Sequence, residues 1–118
     1  MAGYSIIDYK DKDISYLDYR GMNENQMIQT LNEATERSIQ DNKPRLLLTN
    51  ITGTFVLPDF LKKAKEDGKR TKHLTLKSAI VGVDGPKKVL LKVYNYFVGN
   101  EMKPFHDEEE AKEWLVAE

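Results

Sequence analysis

The chain has 118 residues, 40% of them apolar and 31% charged, and its 18 Lys and Arg against 19 Asp and Glu leave a net charge of −1. Such a length and apolar share suit one folded domain over residues 1–118 rather than a disordered chain, and the balanced charge gives no global field for nucleic acid or an anionic membrane surface. The absence of cysteine excludes disulfides, thiolate catalysis and the common zinc frameworks, and it fits a reducing, cytoplasmic setting.

Asp8, Lys10, Asp11 and Lys12 interrupt the segment where a secretory signal would need an unbroken apolar stretch. No apolar run approaches the roughly 20 residues of a membrane-spanning helix. Tyr4 to Lys10 and Asp13 to Tyr19 are β-prone runs rich in Ile and Tyr, and the polar Asp11 and Lys12 between them predict an antiparallel hairpin. Asn23 and Gln26 form a capping box, after which Met27, Ile28, Leu31, Ala34, Thr35 and Ser38 recur at helical spacing as far as Asp41. Asn42, Lys43 and Pro44 end that helix, and the unbroken Leu46, Leu47 and Leu48 predict a strand from Arg45 to Ile51 buried on both faces.

The loop Thr52-Gly53-Thr54 leads through Phe55, Val56 and Leu57 to Pro58, a favourable first helical residue, and a helix with Phe60, Leu61 and Ala64 inward should end near Gly68. Thr75 to Val83, with Ala79, Ile80 and Val81, is the next buried strand, closed by Asp84 and Gly85. Pro86 opens a helix with Val89, Leu90, Val93, Tyr94 and Phe97 along one side, Gly99 as its C-cap, and Lys87, Lys88 and Lys92 in solvent. Met102 to Phe105 reads as a short edge strand. Asp107 and Glu110 form a second capping box before an amphipathic helix with Ala111, Trp114 and Leu115. Strands alternating with helices after a hairpin predict an α/β fold with a mixed β-sheet, an N-terminal antiparallel hairpin and about four helices.

The order of elements, the strand Leu46 to Ile51 running into Thr52-Gly53, the segment Ala79-Ile80-Val81-Gly82-Val83 before a helix, and the ending Phe105 to Leu115 resemble SpoIIAA-like proteins of the STAS and SEC14 families. The resemblance implies a SpoIIAA-like α/β domain that acts as a non-catalytic interaction or regulatory module. In related anti-sigma-factor antagonists a serine or threonine at the helix start after this strand is phosphorylated. The matching positions here are Leu57, Pro58, Asp59 and Phe60, so the usual phosphoacceptor is missing. Asp59 would place a fixed negative charge there, although complementing the helix dipole already accounts for it; Thr52 and Thr54 are weaker candidate phosphoacceptors. The SEC14 relation implies a second role, carriage or sensing of a small apolar or lipid-like ligand.

Ligands of open α/β sheets favour loops beyond the carboxyl ends of parallel strands. Those loops contain the candidate residues Asn50, Thr52, Gly53, Thr54, Phe55 and Asp59, with Asp84, Gly85, Lys87 and Lys88. Gly85-Pro86-Lys87-Lys88 at a helix start combines amides and ammonium groups suited to an anion, but a plain turn and solvated lysines explain it equally. An apolar pocket among Val56, Leu57, Phe60, Tyr94 and Phe97 is a further candidate, set against ordinary core packing.

His73 and His106 lack the spacing of a zinc motif, and no serine lies in a nucleophile elbow, so neither a metal, a cofactor nor an enzyme activity is expected. The partner is expected to be an unidentified protein or a small apolar ligand. The basic stretch Lys62 to Lys77 and the acidic Asp107 to Glu110 with Glu113 have opposite sign, which leaves a homodimer open.

Overall fold

Lys10 and Asp11 both adopt positive φ, 51° and 66°, the turn geometry whose twist matches two antiparallel strands. In the computed structural model, which describes residues 3–118, that turn joins β1 (Gly3–Tyr9) to β2 (Lys12–Asp18). The chain continues through α1 (Glu24–Asp41), β3 (Arg45–Asn50), α2 (Pro58–Thr71), β4 (Thr75–Val81), α3 (Lys87–Val98), β5 (Met102–Phe105) and α4 (Glu108–Val116). The five strands lie in chain order, with β1 antiparallel to β2 and every later neighbour parallel. This is the mixed sheet with an N-terminal hairpin and four helices that the pattern predicts.

Successive strand residues point to opposite faces, and the leucines of β3 divide accordingly. Leu47 joins Leu17, Tyr19, Ile51 and Ile80 beneath Met27 and Ala34 of α1 and Phe60 of α2, with Leu91 of α3 against the same cluster. Leu48 joins Ile14, Ala79 and Val81 on the other side, under Ala111 and Leu115 of α4. The Tyr19 and Phe60 rings meet edge to face at 5.2 Å, a favourable aromatic geometry.

The capping box of α1 is complete: Asn23 Oδ1 accepts from Gln26 N and Gln26 Oε1 from Asn23 N, both at 2.9 Å. At α4 only half of the predicted box forms, Glu110 N donating to Asp107 Oδ1 at 2.9 Å, and three other acidic side chains of this helix turn to the hairpin. Glu109 accepts from the Tyr9 hydroxyl, Glu113 pairs with Lys10, and Glu108 accepts from the Tyr16 hydroxyl.

The hairpin turn falls one residue earlier than expected, on Lys10 and Asp11 rather than Asp11 and Lys12, and two boundaries differ by more. The second helix does not stop near Gly68 but runs to Thr71. Gly68 serves packing rather than termination: a Cβ there would lie 2.6 Å from the Tyr94 hydroxyl and 3.0 Å from Val98. The strand expected to reach Val83 ends at Val81, since Gly82 takes φ +95° where the backbone of Thr52 comes close. Any Cβ at position 82 would sit 2.4 Å from Thr52 N. Backbone cannot yield as a flexible side-chain end would, so Gly82→Ala is expected to lower stability by at least about 2 kcal/mol. Urea unfolding of the two proteins measures this, and a difference near zero would mean that the loops separate freely.

Candidate functional site

Polar residues close the apolar strands at their carboxyl ends. Asp18 and Asn50 are register partners on β2 and β3, and both are buried. Asn50 is a junction: its carbonyl accepts from Tyr19 N at 2.9 Å, its Oδ1 from Thr52 N at 3.0 Å, and its Nδ2 donates to Glu108 Oε2 at 2.6 Å. Glu108 also accepts from the Tyr16 hydroxyl and lies 4.0 Å from Arg20, which itself holds Asp18 through two 2.9 Å contacts. Tyr16, Asp18 and Arg20 escaped the sequence reading, and Glu108 entered it only as part of an acidic cluster. The available signal was a charged Asp18 finishing a strand that otherwise turns Ile14 and Leu17 into the core.

Electrostatics make this network a structural tie. Burial, and then the hydrogen bond to Glu108, push the Tyr16 phenol well above its usual range, so it stays a donor. Burial raises the Asp18 carboxyl too, but the hydrogen bonds from Arg20 outweigh it and leave the group below the usual carboxylate range. Neither group is poised to exchange protons near neutral pH.

The sequence-predicted loops meet around Lys87. Its expected solvation is corrected by the structure: only 14% of the side chain is exposed, and Nζ donates to Ile51 O at 3.0 Å and Gly82 O at 3.2 Å. Two carbonyls left beyond the ends of β3 and β4 supply the reason. The amides of Lys87 and Lys88 donate to Asp84 O and Gly85 O, so that turn takes up the N–H groups an anion would need. Lys88, Asp84, Thr52, Gly53 and Asp59 are exposed, whereas Thr54 is buried with its hydroxyl on Ile51 O at 2.8 Å. Asp59 stands in the first turn of α2, where Leu57 provides no side-chain cap.

The apolar pocket forms from only part of the predicted set. Val56, Phe60 and Tyr94 line a cavity of about 100 Å³ between the sheet and α1, α2 and α3. Leu57 and Phe97 do not reach it: Leu57 is exposed, and Phe97 faces outward beneath Lys65 and Lys69, whose Nζ atoms stand 5.0 and 4.1 Å from its ring. Phe55 is 80% exposed. The cavity wall also includes Arg45 and Asp67, which the sequence reading did not single out.

The basic stretch Lys62 to Lys77 divides among separate tasks. Lys63 pairs with Asp67, Arg70 with Glu36, and Lys77 donates to the carbonyls of Trp114 and Ala117. Among the described residues no three His, Cys, Asp or Glu side chains gather in metal-binding geometry, and no helix is long and apolar enough to cross a membrane.

This architecture has a counterpart among solved structures. The chain is similar to an anti-sigma-factor antagonist (STAS) domain protein from Planctomyces limnophilus, with TM-score 0.65 and 16% identity over 98% of this chain and 100% of that one. The fold is STAS-type. No family model and no curated protein matches the sequence. The loop from Ile51 to Leu57 leads into α2, and Asn50, bonded to Thr52 N and to Glu108, holds its base.

The Asp18 to Arg20 pair gives a pH test. A carboxyl whose folded pKa is depressed contributes stability above its unfolded pKa and loses it as pH falls through the folded value. The stability advantage of the wild type over Asp18→Asn should therefore be full at neutral pH and shrink below about pH 4. Urea unfolding at several pH values reads the difference; a constant gap down to acid would show that the charge of Asp18 contributes nothing.

Proposed function

We propose that the chain is a non-catalytic interaction module that engages a protein partner through the outer face of α3 and the adjoining Phe55 to Leu57 loop. One observation carries this reading. Val89, Val93 and Tyr96 recur on one side of α3 and are 63%, 43% and 92% exposed, beside the exposed Phe97. Phe55 and Leu57, 80% and 44% exposed, add apolar side chains on the loop before α2. Clustered exposed apolar side chains mark interaction surfaces, and tyrosine is enriched in them.

Lys88 and Lys92 are exposed on the same helix, and Lys65 and Lys69 lie over Phe97. A fitting partner presents an apolar helix or loop face bordered by carboxylates, for which the lysines supply orientation and encounter rate more than affinity. The description of the Planctomyces protein as an antagonist of an anti-sigma factor supports a protein partner, in the cytoplasm, in preference to a substrate. Regulation would not use a phosphate at the start of α2, where Asp59 already complements the helix dipole.

A second reading, carriage of a small apolar ligand, is favoured by the cavity of about 100 Å³. That space is below the ~150 Å³ that holds a benzene, so a long-chain lipid does not fit within it.

The interaction reading is tested with Val93→Asp/Tyr96→Asp. Both sites are exposed, so stability should change by no more than about 0.5 kcal/mol each, while a partner recovered by the wild-type protein under native conditions should bind at least about tenfold more weakly. Equal binding by the double variant would overturn the assignment of α3. A native mass spectrum of the gently purified protein addresses the second reading through any adduct that denaturation removes.

A further inference from the structure

Buried hydroxyls in folded proteins almost always have a hydrogen-bond partner. Among the described residues two do not, Thr49 Oγ1 and Ser78 Oγ, and each lines a cavity on the same side of the sheet. Thr49 lines the cavity of about 100 Å³, and Ser78 lines a smaller one of about 20 Å³. The two cavities share Arg45, Tyr94 and Met102 in their walls, so they adjoin as neighbouring lobes beneath α2 and α3.

Arg45 is the charge between those lobes. Its guanidinium contacts only hydroxyls: Nη1 donates to Ser38 Oγ at 2.6 Å, Nη2 to Thr71 Oγ1 at 3.3 Å, and Nε to Thr75 Oγ1 at 3.4 Å. No carboxylate lies within ion-pair distance of it among the described residues. Guanidinium has five N–H donors and does not lose its proton. Three are taken, and two remain, one on each terminal nitrogen, the number that a carboxylate accepts in a bidentate contact.

Asp67, the acidic residue on the same wall, is already compensated. Its carboxylate takes the Thr35 hydroxyl at 2.9 Å and pairs with Lys63 at 3.1 Å and Arg70 at 3.6 Å. The local balance around the cavity is therefore positive. A partly buried cation without a counter-ion is costly, and an anion in the cavity removes that cost.

We infer that this cavity accepts a small monocarboxylate with a compact apolar body, its head on Arg45 and its body against Leu47, Ile80 and Leu91. The inference rests on the second reading above and specifies its ligand class. The volume, below the ~150 Å³ that holds a benzene, limits the body to a short aliphatic chain, and the lone guanidinium selects charge over a neutral head.

Propionate and propionamide, nearly equal in shape and differing in charge, are the probes. Calorimetric titration of the full chain at neutral pH should give propionate an affinity at least about tenfold above that of propionamide, and propionate should move the Arg45 side-chain Nε–H resonance in NMR. Arg45→Gln should erase the preference for propionate while retaining weak binding of the amide. Should that variant not fold, the wild-type comparison and the Arg45 resonance decide alone. Equal affinities, or propionate binding that leaves the Arg45 signal unmoved, would overturn the carboxylate assignment while the cavity kept its ligand reading. If neither compound binds at millimolar concentration, water fills the cavity and both readings fall.

Discussion

Parallel strand connections cross a sheet with one hand in nearly every protein, because a right-twisted strand followed by a right-handed helix packs back onto the sheet only that way. Here the chain takes three such steps in one direction, from β2 through to β5, so α1, α2 and α3 all fall on the same face. The helix after the last strand links no further strand and covers the opposite face by itself. This division explains why the core separates into two clusters across the sheet. It also explains why the cavity lies where three helices converge rather than under α4. Gly68 lets α2 approach Tyr94 of α3, while Thr49 and Ser78 give the sheet beneath them short polar side chains in place of larger aliphatic ones.

The same topology gathers the carboxyl ends of β2, β3 and β4 at one edge. Backbone carbonyls there have no further strand to accept from, and buried acceptors need donors. Lys87 donates to Gly82 O from the start of α3 and joins the Thr54 amide and hydroxyl on Ile51 O, and Asn50 joins the loop after β3 to α4 through Glu108. Held at both sides, this edge leaves Phe55 and Leu57 facing solvent. The exposure of the loop's apolar residues accompanies a fixed base, not a loose segment.

Local chemistry made much of the fold readable. The Asn23 to Gln26 box, the row Leu46 to Leu48 and the existence of the first hairpin, though not the exact place of its turn, each follow from interactions within a few residues. Gly68 misled because a glycine late in a helix suggests a C-cap, whereas its cause is a side chain from another helix, 26 positions onward at Tyr94. Lys87 misled for the same reason: its acceptors at Ile51 and Gly82 become neighbours only when two loops meet. Helical spacing placed Phe97 and Tyr94 on one side, yet the structure turns Tyr94 to the cavity and Phe97 toward the lysines of α2. The charge of Arg45 was visible in the sequence, but its lack of a carboxylate partner is a property of the assembled core.

Interaction surface and cavity are connected through α3. Leu90, Leu91 and Tyr94 of this helix line the cavity, and Val89, Val93 and Tyr96 form its exposed stripe. A ligand between α3 and the sheet influences a partner outside only through a difference in its affinity for two arrangements of that helix. Gly68 opposes such movement, since the contact between α2 and Tyr94 fixes the spacing of the helices on one side. Arg45 favours it, because an occupant that neutralises the guanidinium adds a contact spanning β3 and the helices above. By reciprocity, a partner that stabilises the ligand-binding position of α3 tightens ligand binding by the same factor. The single helix therefore makes the two proposed functions thermodynamically dependent wherever its position differs between the states, and independent where Gly68 and Tyr94 hold it still.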